Sequence, residues 1–329
     1  MSPESVESSH SVTLTIDWLA FTLPESLIGE VLPIIGGEWR PCAGGFSGYP
    51  QSWIMDGVPS GGRLGTGAPR KPREVHASLP AGVVAAWSLD KVKAVFAWII
   101  NKKGHLTRID YALDDRQAFV SLKRIKQALE AGQGVIRAKR IIFTRETNSK
   151  TGAEEGETLY IGCRSSQTML RVYDKRREMQ QKNRDNWREY GVRWELQLKK
   201  ERAHTCVSAL LGLEEEEWRK YLIGVLRSCI NFRKTTRDAP RWERSRAPLM
   251  PWWKKLTADF ERCQLTVGQP EEWGIDNIKR YLIPHMSNLA TLVNSPGGQE
   301  WLNAEIKAGA RRLKPKHHQI LNQLSRGGK

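Results

Sequence analysis

Residues 106–115 read Leu106-Thr107-Arg108-Ile109-Asp110-Tyr111-Ala112-Leu113-Asp114-Asp115. Apolar and polar side chains alternate through much of this run, which predicts a β-strand with a side-chain period of two. The alternation places Arg108, Asp110, Ala112 and Asp114 on one face and Asp115 on the other. Because a carboxylate in mid-strand is costly to bury unless it is paired or binds a cation, this face is predicted to carry a polar site.

A second strand, residues 170–175, contains Tyr173. Alternation places Arg171, Tyr173 and Lys175 on one face, with Val172 and Asp174 pointing away. Two cations beside a phenol can hold a phosphodiester and favour the phenolate, whose unperturbed pKa is ~10. Tyr173, Arg171 and Lys175 are therefore the candidate catalytic residues. The alternative is an ordinary half-buried strand tyrosine.

Two further strands add polar groups. Glu195 lies in residues 192–199 and shares a face with Gln197 and Lys199. His76 shares a face of its own strand with Glu74 and Ser78. Carboxylates and an imidazole that converge on one sheet face form a site for Mg²⁺ or Mn²⁺. The predicted ligands are Asp110, Glu195, Asp114 and His76.

The same acids have a simpler explanation. Asp110 and Glu195 can pair with Arg108 and Arg193, or with basic residues on neighbouring strands. His76 can be a satisfied polar residue.

The pattern along the chain predicts an α+β fold, with an antiparallel-rich β-sheet domain flanked by helices and followed by a smaller helical domain. Further strands are predicted at 12–21, 74–79, 139–145 and 157–163, and 40–73 is predicted to be a loop or loose hairpin. Helices are predicted at 88–101, 118–131, 214–231 and 252–263, and the Tyr173 strand is predicted to pass into a charged helix that runs through about 187. The predicted domains are a flexible terminus at 1–11, the sheet domain at 12–240, and a basic helical domain at 241–329.

Composition restricts the partners. The chain has 329 residues with 52 basic against 36 acidic side chains, and its net charge of +16 indicates a polyanionic partner, with nucleic acid favoured over an acidic membrane surface. The alternative is a soluble protein that is merely basic. Its five scattered cysteines contain no Cys-x-x-Cys pair, which argues against a disulfide framework and for a reducing, cytoplasmic compartment. No apolar run approaches the ~20 residues of a membrane span, so no membrane partner is expected.

Basic residues concentrate in 164–202, 233–246 and 301–329. These segments predict a DNA track with salt-dependent binding. Of the 13 tryptophans, most are predicted to pack in the core, whereas Trp242, Trp252 and Trp253 lie beside arginines and could stack unpaired bases. The predicted DNA-binding residues are Arg164, Arg176, Arg177, Lys199, Arg241, Trp252 and Trp253.

These motifs, in their order, resemble the replication initiation factor family of the Rep-trans type, which includes rolling-circle initiators and related relaxases. The resemblance covers residues 12–255 and rests on the segments at 17–21, 107–115, 157–166, 170–175, 193–199 and 247–253. Residues 76–82 depart from the family pattern, because the glycine turn that follows the histidine is altered, and this puts a role for His76 in doubt.

The resemblance implies that Tyr173 nicks one strand of origin DNA, stays linked to the 5′ phosphate and later rejoins the strand. It also implies a divalent metal at Asp110 and Glu195. The alternatives are a relaxase of an integrative conjugative element and a non-catalytic DNA-binding regulator. The expected partners are duplex and single-stranded origin DNA and a host helicase, and the expected state is a monomer or homodimer.

Overall fold

The fold is described from a computed structural model of the chain. The structure describes residues 12–58, 61–257 and 265, together with 299–300, 302–304 and 307. The predicted flexible terminus at 1–11 lies outside these residues. So do the part of the predicted helix 252–263 that follows Thr257 and nearly all of the chain beyond that helix.

Ten strands form one antiparallel sheet. Its order is β2-β3-β4-β5-β1-β6-β11-β10-β9-β8, and β12 and β7 form a separate two-stranded sheet. The strands are β1 (Val12–Leu23), β2 (Trp39–Cys42), β3 (Gln51–Met55), β4 (Arg63–Thr66), β5 (Val75–Pro80), β6 (His105–Asp115), β7 (Gly134–Ile136), β8 (Ile141–Thr147), β9 (Glu154–Ile161), β10 (Thr168–Asp174), β11 (Val192–Lys199) and β12 (Ile230–Phe232).

Nine helices are described around these strands. They are α1 (Ile28–Ile35), α2 (Ala81–Val84), α3 (Leu89–Asn101), α4 (Leu122–Glu130), α5 (Lys175–Gln181), α6 (Glu201–Leu211), α7 (Glu215–Cys229), α8 (Arg241–Arg246) and α9 (Pro251–Leu256), with a 3₁₀ helix at Asp185–Glu189. Ser88 and Ser121 begin α3 and α4, since each side chain accepts a hydrogen bond from the backbone N–H three residues later. The predicted α+β class is therefore confirmed.

The two faces of the large sheet differ in chemistry. One face is apolar: Ile109, Leu196, Leu198 and Leu170 are fully buried, and α3, α4 and α6 pack against these strands. Burial of this face removes apolar surface from water and supplies the main stabilisation. The opposite face carries the arginine and carboxylate side chains of β6, β10 and β11, so the core lies on one side of the sheet and the candidate site on the other.

Several parts of the chain differ from the sequence prediction. The segment 40–73 contains β2, β3 and β4 rather than a loop, because short strands separated by Gly and Pro turns lack a long apolar run. Helices α1, α2 and α6 and the short strands β7 and β12 were not predicted. The turn at Lys200, with φ of 53°, ends β11 and directs the chain straight into α6.

Trp252 and Trp253 of α9 belong to the core. Trp253 is fully buried, with its ring centroid 5.0 Å from that of Trp194, and Trp252 packs 4.7 Å from Phe232. The proposed stacking of DNA bases on these two rings is therefore wrong, because the rings are enclosed by protein. The sequence cue was a basic neighbourhood, which does not report burial.

Contacts group the chain into two units, Met1–Thr266 and Val267–Lys329. The first unit contains all 12 strands and nine helices given above. The division predicted after residue 240 stays a prediction, although the described helices α8 and α9 fall within the first unit. In the described part of the chain, no helix is both long and apolar enough to span a bilayer.

Candidate active site

Tyr173 lies near the end of β10 on the polar face. Its cross-strand partners are Arg193 on β11 and Thr158 on β9. Tyr173 is partly buried and faces a cleft of about 210 Å³, whose wall also includes Arg171, Arg177 and Glu178. Within residues 12–58 and 61–257, no side chain hydrogen-bonds to its hydroxyl. The phenol is thus at the surface of a polar cleft rather than in the apolar core.

Arg171 connects the phenol to an acid. Its guanidinium carbon lies 4.9 Å from the centre of the Tyr173 ring, and its terminal nitrogen pairs with a carboxylate oxygen of Glu195. Arg171 and Glu195 are direct cross-strand neighbours, which fixes the guanidinium in place. The simpler explanation offered for Glu195, pairing with a basic neighbour, is therefore found, but its partner is Arg171 on β10 and not Arg193.

Arg193 is held by two other acids. Its Nε lies 2.6 Å from Asp114 Oδ1 and one terminal nitrogen lies 2.7 Å from Asp114 Oδ2, a bidentate pair in which both residues are buried. Its other terminal nitrogen donates to Asp17 Oδ1 at 3.0 Å. A cation is thereby fixed directly beside Tyr173 on the neighbouring strand.

Asp17 is a site residue that the sequence analysis assigned no role. It lies at an irregularity of β1, where the pairing with β6 shifts between Ile16 and Trp18, and this bulge lets its side chain reach Arg193 on the polar face. The signal was available: Asp17 is the single acid of β1, in a run of β-branched and aromatic residues.

Asp110 is almost completely buried and paired. Arg108 donates to it through Nε at 2.9 Å and through a terminal nitrogen at 2.5 Å, and Gln197 Nε2 donates at 3.2 Å. Burial raises the pKa of Asp110, and the hydrogen bonds from Arg108 offset part of that rise. The alternative explanation of Asp110 as the partner of Arg108 is confirmed.

Burial sets the charge state of the phenol. It raises the pKa of Tyr173 above the ordinary value, and the nearby Arg193 and Arg171 cations offset only part of the effect. Arg171 favours the phenolate as expected, but desolvation of the charged form outweighs it, so the net shift of the Tyr173 pKa is upward. Tyr173 is a neutral phenol at neutral pH.

Lys175 begins α5 and turns away from β10. Its Nζ lies 5.9 Å from the centre of the Tyr173 ring and 2.7 Å from Glu178 Oε2. Burial acts to raise the pKa of Glu178, but hydrogen bonds from Lys175 and Lys182 hold that pKa near 2. Lys175 is thus committed to an acid and lies farther from the phenol than Arg171.

Three of the four predicted metal ligands, Asp110, Asp114 and Glu195, lie together on the polar face of β6 and β11, whereas His76 does not. Asp110, Asp114 and Glu195 each hold a guanidinium group, while His76 lies two strands and four residues from Asp110 in register, roughly 16 Å away. Among the residues that the structure describes, no group of three His, Cys, Asp or Glu side chains could hold a metal ion. The predicted Mg²⁺ or Mn²⁺ site does not fit this arrangement, because guanidinium groups pair with both carboxylate oxygens of Asp110 and of Asp114 and with one oxygen of Glu195.

His76 lies in an aromatic cluster instead. Its ring stacks between Phe46 and Tyr49, each with centroids 5.8 Å away, and its Nδ1 lies 3.1 Å from Thr22 Oγ1. Burial lowers the pKa of His76, so the imidazole is neutral at neutral pH. His76 is therefore a polar residue whose contacts are satisfied within the protein, which is the alternative that the sequence analysis gave for it.

An aromatic groove adjoins this cluster on the polar face. Trp18, Phe46 and Arg63 line a cavity of about 370 Å³. The Arg108 guanidinium lies 4.2 Å from the centre of the Trp18 ring, and that of Arg63 lies 5.6 Å from the centre of Phe46. Partly exposed rings beside cations suit the stacking of unpaired bases. The sequence analysis explained Trp18 by core or strand packing and did not predict this groove.

The predicted DNA-binding cations lie in different surroundings. Lys199 donates to the carbonyl of Arg164 at 2.8 Å, and both lie at the turn before β10. Arg176 donates to the Tyr190 carbonyl, and Arg177 pairs with Glu154 beside the Tyr173 cleft. Arg241 lines a separate cavity of about 370 Å³ with Arg237 and Arg244. Their contact with DNA stays a prediction.

Comparison with known proteins identifies the family to which the chain is similar. Residues 104–299 match the Rep-trans family, described as replication initiation factor. Over 114 residues the chain is 32% identical to the putative DNA relaxase NicK of Bacillus subtilis (strain 168), a match that covers 34% of this chain and 32% of that protein. The chain thus spans about a third of the length of this curated relative.

A solved structure shares the fold. The rolling circle replication initiator protein from Geobacillus stearothermophilus aligns with a TM-score of 0.64 and 20% identity, over 78% of this chain and 100% of that one. At this level of identity the likeness shows a common fold, and it agrees with the large antiparallel sheet described above.

Proposed function

Because the chain belongs to the replication initiation factor family, we propose that it starts rolling-circle replication by nicking one DNA strand at an origin through Tyr173. The family membership confirms the resemblance noted in the sequence. The observation that carries the assignment of Tyr173 is its position: a phenol on the polar face, in a cleft, beside two guanidinium groups that carboxylates hold in place.

The proposed step is a transfer at phosphorus. The Tyr173 oxygen forms a bond to the scissile phosphorus, the bond from phosphorus to the 3′ oxygen breaks, and that oxygen takes up a proton. The product is a 5′-phosphotyrosine and a free 3′ hydroxyl. Because the phosphoester linkage is kept, attack by a 3′ hydroxyl on the phosphotyrosine rejoins the strand without a nucleotide cofactor.

Arg171 and Arg193 would stabilise the charge on the phosphoryl oxygens in this step. Both are fixed by acids before DNA arrives, so little reorganisation accompanies the reaction. Their positive charge also favours loss of the phenolic proton, which offsets part of the effect of burial on the pKa of Tyr173.

Glu195 is the proposed acceptor of the phenolic proton. It interacts electrostatically with Tyr173, and burial raises its own pKa, with Arg171 offsetting part of the rise. A carboxylate with a raised pKa is a stronger base than an ordinary one at neutral pH. A requirement for Mg²⁺ or Mn²⁺, which the resemblance implies, stays a prediction, and no step above depends on it.

A relaxase is the second candidate, favoured by the similarity to the putative DNA relaxase NicK. Both activities use the same strand cleavage, and they differ in the DNA segment recognised and in the partners that follow. Origin DNA, a host helicase and a monomeric or dimeric state remain proposals that serve either function.

A nicking assay tests the proposal. Supercoiled plasmids that carry the replication origin or transfer origin from the chain's own genetic element are incubated with the protein, with and without Mg²⁺ or Mn²⁺. Conversion to the open circular form, with protein attached to the 5′ end, is expected. Binding without conversion under every condition would instead support the non-catalytic regulator.

A further inference from the structure

A cavity of about 600 Å³ lies on the side of the sheet opposite Tyr173. Ile161 and Leu170 form part of its lining, and both side chains belong to the apolar face. The rest of the wall comes from the connection between β7 and β8, the turn between β9 and β10, the start of α6 and the end of α7. This volume is typical of a small-molecule binding site.

Four cations line this cavity: Arg137, Lys139, Arg140 and Arg202. Its lining contains no Asp or Glu. None of the four makes a side-chain hydrogen bond or ion pair with any residue in the described part of the chain. Like charges that converge without a counterion repel one another, so the cavity has a strong preference for an anion.

The cavity floor is apolar. Ala138, Ile161 and Leu170 provide carbon surface beneath the cationic rim. A bare inorganic anion would use the rim and leave the floor uncovered. A nucleotide has both parts that this lining calls for, a phosphate for the cations and a flat base for the apolar floor.

Three cations lie between the cavity and the candidate active site. Thr168 of the cavity wall and Tyr173 lie at opposite ends of β10, five residues or roughly 17 Å apart. Arg171 lies between them on the polar face, and Lys199 and Arg164 lie at the turn around which a strand would pass. This turn, residues 162–167, forms one wall of the cavity.

We propose that this cavity binds one nucleotide unit, its phosphate on Arg137, Lys139, Arg140 and Arg202 and its base on the apolar floor. The inference rests on the proposed function in one respect: the nucleotide is supplied by the single strand that passes Tyr173. A free mononucleotide has the same chemistry, and the experiment separates the two sources.

Cys163 provides a reporter inside the cavity. It lines the wall, and its Sγ lies 3.1 Å from Ser165 Oγ and 3.0 Å from Ser166 Oγ. These hydrogen bonds lower the pKa of the thiol to about 7, so a large part of it is thiolate near neutral pH and reacts with alkylating agents. A ligand in the cavity must cover this group.

The test measures the alkylation rate of Cys163 in the full chain with iodoacetamide, read peptide by peptide by mass spectrometry. Single-stranded oligonucleotides of the origin sequence, dAMP and inorganic phosphate are added separately. We expect at least tenfold protection by saturating oligonucleotide, protection by dAMP at higher concentration, and little by phosphate. Equal protection by phosphate and dAMP, or none by any, overturns the nucleotide site. Protection by dAMP alone supports the site and overturns its supply by the strand.

Charge removal gives an independent readout. Arg137→Ala/Arg202→Ala should lower the dependence of log binding constant on log salt by up to ~0.7 for single-stranded DNA, since the cavity holds one phosphate and each lost phosphate contact removes ~0.7. The matched control is Lys123→Ala/Arg124→Ala, two exposed cations on α4. Equal slopes in the two double variants contradict the proposal.

Nicking and protection of Cys163, measured on the same preparation of the protein, test the proposed function and this inference separately. The control variant, Lys123→Ala/Arg124→Ala, should nick at the wild-type rate. If DNA protects Cys163 but the protein never nicks, the role of Tyr173 is refuted and the proposed nucleotide site is not. If the protein nicks but DNA does not protect Cys163, only the proposed nucleotide site is refuted.

Discussion

The two sides of the large sheet hold their cations differently. On the polar face, Arg108, Arg171 and Arg193 are each tied to a carboxylate. On the opposite side, the four cations of the 600 Å³ cavity have no acidic partner in the described part of the chain. Paired guanidinium groups are fixed in position and suit catalysis, where geometry decides the rate. Unpaired ones are available for an anion from outside and suit binding.

The largest effect is expected at the phenol of the paired face. Tyr173→Phe removes the nucleophile and should abolish nicking, a loss of roughly 10³-fold or more. Folding should be unchanged, because the hydroxyl has no hydrogen-bonding side chain within 12–58 and 61–257. Gel-resolved plasmid nicking measures the activity.

The matched control for this change is Tyr160→Phe, which alters a second tyrosine in the same cleft. It should nick at close to the wild-type rate. If the two variants nick equally, catalysis does not use Tyr173.

The next largest effect concerns the stability of a buried pair. Arg193→Met leaves Asp114, whose side chain is 2% exposed, without its bidentate partner and should cost about 3–5 kcal/mol in the free energy of unfolding. Arg40→Met breaks the pair with Asp56, whose side chains are 62% and 44% exposed, and should cost less than about 1 kcal/mol. Urea denaturation measures both, and equal losses would show that Asp114 does not depend on Arg193.

A smaller effect is expected for the proposed base. Glu195→Gln should lower the single-turnover nicking rate about 10²-fold. In the wild type the rate should fall as pH falls through the raised pKa of Glu195, since the protonated acid cannot accept the phenolic proton. The variant should lose this acid limb of the pH profile. An unchanged limb would assign the proton to another group.

The smallest effect is expected in the aromatic groove. Phe46→Ala should weaken single-stranded DNA binding by about 1–3 kcal/mol, because a base loses its stacking partner. Trp242, 63% exposed on α8, is the comparator. Fluorescence anisotropy measures both affinities, and a larger loss for Trp242→Ala would place the stacking surface at α8.

Much of this contrast was predictable from sequence. The alternation in residues 106–115, 170–174 and 192–199 predicted the three strands and the face that each side chain occupies, because that face depends only on a local period of two. The pairing of Glu195 with Arg171 was not predictable, since it depends on strand register. The unpaired cavity was missed because Arg137 and Arg202 are 65 residues apart in the sequence and meet only through the fold.

Burial was the second quantity that the sequence could not supply. Two flanking cations predicted an acidic phenol, but desolvation of Tyr173 reverses the direction of the pKa shift. Trp252 and Trp253 looked like a DNA surface from their basic neighbours, yet they pack against Trp194 and Phe232. Local pattern gives the face of a side chain and its charge, whereas the degree of enclosure comes from distant segments.

Mapping the covalent adduct tests the central claim most directly. The protein is incubated with labelled single-stranded origin DNA, digested with trypsin and nuclease, and the modified peptide is sequenced by mass spectrometry. The account predicts a nucleotide joined through phosphate to Tyr173, in a peptide that includes Val172 and Asp174. A nucleotide on any other residue, or a wild-type protein that cleaves the strand without an adduct, contradicts it.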